Sequence, residues 1–381
     1  MMSTSGLSNG PKVVYLLPYA DDGSIHGGKI RAAKIIEIIR KVTHDYEVYY
    51  LGDESYESSS AQNPLEDMSN HLVGDVQMLY RNFGLATLIR KNVDILIFEQ
   101  PWVWNEVKRL KHMNPNLFLI YSSQNIEWNL KYEIMKKYVG NKTARNVGEL
   151  IYDVEVEITK SVDLIVAVSH SDASWFRSQS STEVIVATNG TAIPPAMVEM
   201  SQAKDFRFAV VIGSAHPPNI EGALHFLSDP ELWFPKNTRL KIVGSLSSAL
   251  RPYFGGLKNR WNQNFVDLAE RVDDLALTEI IAQSSAILLP ISYGGGTNLK
   301  TAEGLVSGKT VIGSRQSFRG YEKYMNLERV HVVDRAVDFK SYTIGALTQP
   351  QDNVFRPEAF ELDWNETLRP LMEKLLGFCN E

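Results

Sequence analysis

The chain has 381 residues, too many for one ordinary core and enough for two domains of common size. Hydrophobic residues make up 44% and charged residues 22%, a globular composition that excludes a disordered chain. The formal net charge of -6 gives the molecule no general attraction to nucleic acid, so no nucleic-acid partner is expected.

No apolar run approaches the ~18 residues needed to span a bilayer. The start, MMSTSGLSNGPK, shows no apolar segment of the secretory type. The single cysteine, Cys379, has no partner within the chain. These features lead to the expectation of a cytoplasmic protein in a reducing compartment. The N-x-[ST] triplets at Asn141, Asn189 and Asn365 read as chance occurrences in that setting.

In chain order, KVVYLLP (12–18) reads as a buried strand and GGKIRAAKIIEIIRKV (27–42) as an amphipathic helix behind a glycine pair. SYESSSAQNP, within 53–70, marks a polar loop. YEVYYLG (46–52), VDILIFEQ (93–100), NLFLIYSS (116–123) and VDLIVAVS (162–169) are further strands with helical spacing between them. TNGTAIPPAM (188–197) breaks the pattern and reads as a linker. The alternation then restarts with FAVVIGS (208–214), RLKIVGS (239–245), AILLPIS (286–292) and KTVIGS (309–314). PEAFELDWNETLRPLMEKLLGF (357–378) reads as a closing amphipathic helix. Continuous apolar strands alternating with helices predict an α/β protein with two Rossmann-like parallel-sheet domains, 1–195 and 200–352. The tail, 355–381, is expected to return to the first domain. Ligands of such a pair are expected at the carboxyl ends of the strands, in a central cleft.

The segment ILLPISYGGGTNLKTAEGLVSGKTVIGS (287–314) concentrates the chemistry. A strand ends in Gly294–Gly296, and a helix is expected from about Thr297 to Ser307. Glycines before a helix let an anion approach its free N–H groups, and Thr297 and Asn298 can add side-chain hydrogen bonds. Lys300 falls in the first turn, where a cation opposes the helix dipole unless an anion is near. Glu303, one turn on, is either an exposed helical glutamate or an acceptor for paired hydroxyls. The residue types alone leave both readings open.

The run GGGTNLKTAEGLVSGKTVIGS resembles the donor-binding segment of glycosyltransferase family 4, in its glycine-rich G-x-G-T-x-x-K-x-x-E variant. Gly27–Gly28, SQNIEW (123–128), VDLIVAVSHSDA (162–173), TNG (188–190), VIGSAHPPNIEGALHFL (211–227) and IVGS (242–245) fit the same family in order. The resemblance implies a GT-B fold and a retaining glycosyltransferase that needs no metal and no cofactor beyond a nucleotide-sugar co-substrate. It places the ribose hydroxyls on Glu303 and the diphosphate on Gly295, Gly296, Thr297, Asn298 and Lys300. Gly27 and Gly28 would approach the phosphates, and the backbone near Arg271 and Val272 would face the base.

The chain departs from the family at several places. Gly295 stands where many relatives carry a first glutamate, and Ser214 and Asn219 replace an arginine and a lysine. Gln124, before Asn125, replaces a histidine that contacts the donor sugar, a role for which His26 is the substitute to weigh against a solvent-facing loop residue. Trp102, near Trp104 after a strand end, is either a sugar platform or core. WNLKYEIMKKYVGNKTARN (128–146) mixes lysines with aromatics. That composition suits peripheral contact with anionic lipid near a lipid-linked or glycan acceptor, although an ordinary basic helix surface is the heavier reading.

GLVSGKT (304–310) lacks the spacing and the following helix of a P-loop, and clustered metal ligands are not visible. The rivals to a glycosyltransferase, with surface polysaccharide or glycoconjugate synthesis as its setting, are a sugar-binding pseudoenzyme and a nucleotide-sugar epimerase on the same fold. Base, donor sugar, acceptor and oligomeric state are not readable.

Overall fold

A computed structural model describes residues 10–21, 27–52, 74–89, 92–192, 207–253, 265–270, 272–349 and 357–378. His26, Arg271, Cys379, the polar stretch 53–70 and residues 193–197 of the linker stretch lie outside the described residues. The chain separates into two compact units, Met1–Thr188 with Thr367–Glu381, and Asn189–Glu366.

The first unit is a parallel sheet of β1 (Val13–Leu17), β2 (Tyr46–Tyr50), β3 (Ile95–Glu99), β4 (Phe118–Ser122), β5 (Leu164–Ala167) and β6 (Glu183–Val186), in the order β2-β1-β3-β4-β5-β6. Its main helices are α1 (Gly27–Val42), α2 (Trp104–Met113), α3 (Glu127–Val139), α4 (Asn141–Ser161) and α5 (His170–Gln179). All five residues of β1 and of β3 are buried, which is why β1 reads as an unbroken apolar run and β3 as one closed by a single acid, Glu99. α1 buries Ala32, Ile35, Ile36 and Ile39 at helical spacing.

The second unit repeats the plan with β7 (Arg207–Ile212), β8 (Thr238–Val243), β9 (Val266–Ala269), β10 (Ala286–Leu289), β11 (Thr310–Gly313) and β12 (Val330–Val332). Its order, β12-β11-β10-β7-β8-β9, is that of a dinucleotide fold, with the order reversing between β7 and β10. Its main helices are α6 (Pro217–Phe226), α7 (Asp274–Gln283), α8 (Leu299–Val306) and α9 (Ala336–Thr348). A last helix, α10 (Arg369–Gly377), packs on α1 and β6 of the first unit, where Lys374 pairs with Glu183 at 2.5 Å.

Three strands were not legible in the sequence: β6, β9 and β12. Each is an edge strand of only three or four residues, with a partly exposed burial pattern that never makes a continuous apolar run. The closing stretch also differs from one continuous helix. Thr191 N–H donates to Leu362 O at 2.8 Å and Thr191 pairs with Asp363 as a β-bridge, so the chain is extended there. Pro370 then opens α10 afresh in its first turn.

α6 lies directly on the end of β10. A Cβ added to Gly222 would stand 1.6 Å from Pro290 O and 3.1 Å from Ser292 N, so only glycine allows this backbone approach. Gly222→Ala should therefore destabilise the second unit by about 1–3 kcal/mol, the usual range for an overpacked site. Chemical denaturation of both proteins measures it, and an unchanged midpoint would show that α6 can slide without cost.

Candidate functional site

In the second unit the reversal of strand order brings the segments after β7 and β10 together. After β10 the chain runs through Pro290–Tyr293 into the glycine triplet. Gly294 has φ 138° and Gly296 has φ 58°, conformations that L side chains avoid. The carbonyls of the triplet are held from the flank: Gln316 Nε2 donates to Gly294 O at 3.2 Å. Arg319 donates from Nη2 to Gly295 O at 2.7 Å and from Nε to Gly296 O at 3.1 Å. On the α6 side, Tyr293 Oη donates to Glu221 Oε1 at 2.7 Å and Ser292 Oγ to Pro218 O at 3.1 Å.

α8 starts two residues later than the sequence pattern suggests, because Asn298 serves as its N-cap. Asn298 Oδ1 accepts from Lys300 N–H at 3.3 Å and Nδ2 donates to Thr301 Oγ1 at 3.2 Å, so this side chain is engaged within the helix start. Lys300 lines a small cavity with Asn219, Pro290 and Ile291. Asn219 itself donates to Ser214 O at 3.0 Å.

Two buried oxygens here have no hydrogen-bond partner, Thr297 Oγ1 and Glu303 Oε2. Buried polar atoms are nearly always satisfied, so these two oxygens are open to hydrogen bonds from outside the chain. Burial raises the Glu303 carboxyl above its usual range; the Lys300 charge pulls it back and Asp274, in the first turn of α7, pushes it up further. The structure thus places Gly295, Gly296, Thr297, Asn298, Lys300 and Glu303 along the glycine loop and the first two turns of α8. Val272, just before α7, is partly buried against the apolar core.

The first unit has its own polar centre at its reversal point, between β1 and β3. Glu99, the last residue of β3, is fully buried. Tyr15 Oη and Gln124 Nε2 donate to its carboxylate at short range, Tyr19 Oη at 3.1 Å and Ser122 Oγ at 3.4 Å. Desolvation raises the Glu99 carboxyl, while Tyr15, the buried Arg31 of α1, Tyr19 and Gln124 pull it back. The next residue, Gln100, holds φ 59° and ψ 161°, a conformation costing about 1–3 kcal/mol for a non-glycine residue and typical of functional sites.

Gly28 belongs to this centre. A Cβ there would meet Tyr19 Oη at 2.4 Å and Gln124 Oε1 at 2.8 Å, so the glycine lets α1 begin directly on these side chains. Gly27 is exposed at the helix start. Gln124 also donates to Gly28 O at 3.5 Å. Asn125 Nδ2 donates to Glu127 Oε1 at 2.9 Å, and the N–H groups of Glu127 and Trp128, at the start of α3, donate to Glu155 at 3.0 and 2.8 Å.

Trp102 is not a surface platform. It is 1% exposed, packs with Leu79 and Ile151, donates from Nε1 to Gln100 Oε1 at 3.0 Å, and carries Lys131 over its ring at 5.3 Å. Trp104 is equally buried and donates to Glu157. The basic stretch is likewise partly internal, since Lys131 pairs with Asp75; Lys136, Lys137, Lys142 and Arg145 are exposed. Among the described residues no helix is long and apolar enough to cross a membrane, and no group of three or more His, Cys, Asp or Glu could hold a metal ion.

Two residues escaped the sequence reading. Glu99 carried a signal, a lone acid closing an apolar strand. Arg319 carried none, because the glycine carbonyls it holds lie more than twenty residues away.

No protein-family profile matches the chain, and no curated protein does. Solved structures do. Sucrose-phosphate synthase from Thermosynechococcus elongatus superposes with a TM-score of 0.65 at 13% identity, over 97% of this chain and 100% of its own. HepE from Anabaena, in complex with UDP and glucose, gives 0.64 at 12% identity over 96% of this chain and 100% of its own. The trehalose 6-phosphate synthase of Burkholderia multivorans gives 0.62 at 10% over 97% of each. The fold is therefore GT-B, with two Rossmann-like parallel-sheet units.

Burial pushes the Glu155 carboxyl well above the usual range, against the pull of the two N–H groups it accepts. A folded-state value above the unfolded value of about 4.3 means the folded state holds the proton more tightly, so this contribution to stability is lost as pH rises through that window. Glu155→Gln removes the titration. As pH falls from neutral toward about 4.3, the wild type's melting temperature should therefore rise relative to the variant's; parallel curves would show that Glu155 does not titrate in this range.

Proposed function

We propose that the chain is a retaining glycosyltransferase of the family 4 kind, which moves a sugar from a nucleoside-diphosphate donor to a glycan, lipid-linked or small-molecule acceptor. The observation that carries this reading is the pair of orphaned buried oxygens, Thr297 Oγ1 and Glu303 Oε2, beside Lys300 at the start of a helix behind a glycine loop. A carboxylate oxygen without a donor suits ribose hydroxyls, and a helix N-terminus with a lysine suits a diphosphate. The HepE structures hold UDP, UDP-glucose, or UDP and glucose on the same fold, which supports a donor of this class.

In this reaction the acceptor oxygen bonds to the anomeric carbon on the face from which the diphosphate departs. The departing phosphate oxygen takes the acceptor's proton, so no covalent enzyme intermediate is needed. The protein's part is to position the donor and to stabilise the charge growing on the leaving diphosphate, without a metal or a further cofactor. Lys300 is the residue assigned to that charge. The second unit binds the donor and the first unit the acceptor; a cytoplasmic setting in glycoconjugate synthesis, with exposed lysines of α3 and α4 near lipid, completes the proposal.

One observation favours a binding protein instead. Gln124, at the place of the family's sugar-contacting histidine, is tied to Glu99 and Gly28. Donor binding without turnover would decide for that reading.

The first experiment is thermal stabilisation by UDP, GDP, ADP, CDP and dTDP, with Glu303→Ala alongside. A nucleotide at about 100 times its dissociation constant stabilises by about 2.7 kcal/mol. One nucleotide should shift the wild type and leave the variant unmoved; no shift with any of them would sink the donor assignment. Once turnover is measurable, Lys300→Ala should raise the barrier by about 2–4 kcal/mol with donor affinity less affected. An unchanged rate at saturating donor would remove Lys300 from the chemistry.

A further inference from the structure

A loop of three glycines is a poor anion site unless something holds it. Glycine loses more backbone freedom on ordering than any other residue, and fixing each residue costs about 1–2 kcal/mol. A loop that waits for its ligand before ordering draws that cost from the binding energy. In this chain the loop is held from its carbonyl side. Gly294 O accepts from Gln316, and Gly295 O and Gly296 O accept from two nitrogens of one guanidinium, Arg319. In a trans peptide the N–H points opposite to the C=O. Turning these three carbonyls toward Gln316 and Arg319 therefore turns the N–H groups of Gly295, Gly296 and Thr297 to the other side, which is the arrangement a phosphate requires.

The holder is itself held. Arg319 Nη1 donates to Gln316 O at 2.7 Å, which ties the guanidinium to its own turn. That turn, Arg315–Phe318, is stitched to the end of β10 and to α8: Ser317 Oγ donates to Leu289 O at 2.6 Å, and Thr301 Oγ1 donates to Ser317 O at 2.6 Å. Gly294 has room for the guanidinium because it lacks a side chain; a Cβ there would stand 3.2 Å from Nη2. The arrangement needs the planar fork of arginine, since a lysine ammonium is a point charge on a single stem and cannot span two successive carbonyls and a third.

We propose that Arg319 is a positioning residue that pre-forms the phosphate face of the glycine loop from behind, and adds there a fixed positive charge in a protein with Ser214 and Asn219 at the two places where the family pattern has cations. The proposal rests on the donor reading above and names what makes that site specific for a diphosphate.

The test uses Arg319→Lys, which keeps the charge and loses the fork. Two measurements are made on the full chain: amide hydrogen exchange over 293–300 without ligand, and calorimetric affinity for UDP and for UMP. The variant should exchange about tenfold faster at 293–300 with the rest of the second unit unchanged. It should also lose about tenfold in UDP affinity, with UMP binding altered far less. A general structural role would instead lower the melting temperature and weaken both nucleotides alike, and that result overturns the proposal. So does a variant with wild-type exchange and a wild-type UDP-to-UMP ratio, while the donor reading stands. A wild type that binds neither UDP nor UMP, nor any nucleotide of the panel above, overturns the donor reading and this proposal with it.

Discussion

The carbonyl of Leu289, last residue of the fully buried β10, accepts from three donors: Ile291 N–H at 3.0 Å, Ser314 N–H at 3.3 Å and Ser317 Oγ at 2.6 Å. A strand covered on both faces leaves little water at its end, so the backbone groups beyond the last ladder bond must be satisfied by the chain itself. Much of the local architecture of the second unit follows from this. Ser314 and Ser317 come to the strand end for its carbonyl, and they bring with them the turn that carries Gln316 and Arg319. Those two then fix the glycine loop, and the loop delivers the chain to α8 with Asn298 as its cap.

The first unit solves a related problem with a charge. Glu99 ends a strand that is buried on both faces, where an isolated carboxylate would be strongly disfavoured. Two tyrosines, a serine and a glutamine surround it, and Arg31 offsets its charge from α1. Partly satisfied networks of this kind are unstable, whereas satisfied ones define a single geometry. Here the geometry defined is the seat of α1 on Tyr19 and Gln124, which is why residue 28 is a glycine. A second buried acid, Glu155, does the same for the start of α3. Gln124 is thus first a structural linker, and any contact it makes with a sugar uses a side chain whose orientation Glu99 sets.

How much of this was legible in the sequence depended on whether the signal was local. Interior strands such as β1 and β10 announce themselves because both faces are buried and every position is apolar. The edge strands β6, β9 and β12 do not, since half their surface faces outward and their length is three or four residues. The apolar spacing of the tail suits a single helix. Pairing of residues 362 and 363 with Thr191, far away in the chain, interrupts it. Trp102 could be weighed as platform or core from sequence, but the packing of Leu79 and Ile151 on it decided for core.

By itself the sequence determined the α/β class, the two tandem parallel-sheet units and the segment 294–303 as the place where a helix start, a lysine and a glutamate coincide. These rest on periodicity, on glycine's conformational freedom and on neighbours along the chain. The tertiary structure alone decided that Glu303 and Thr297 carry unmatched buried oxygens, that Gln124 is bound to Glu99, and that Arg319 stands behind the glycine loop. Each of those depends on which atoms lie within about 3 Å of each other after folding. Partners separated by 20 to 100 residues leave no trace of that distance in the order of the chain.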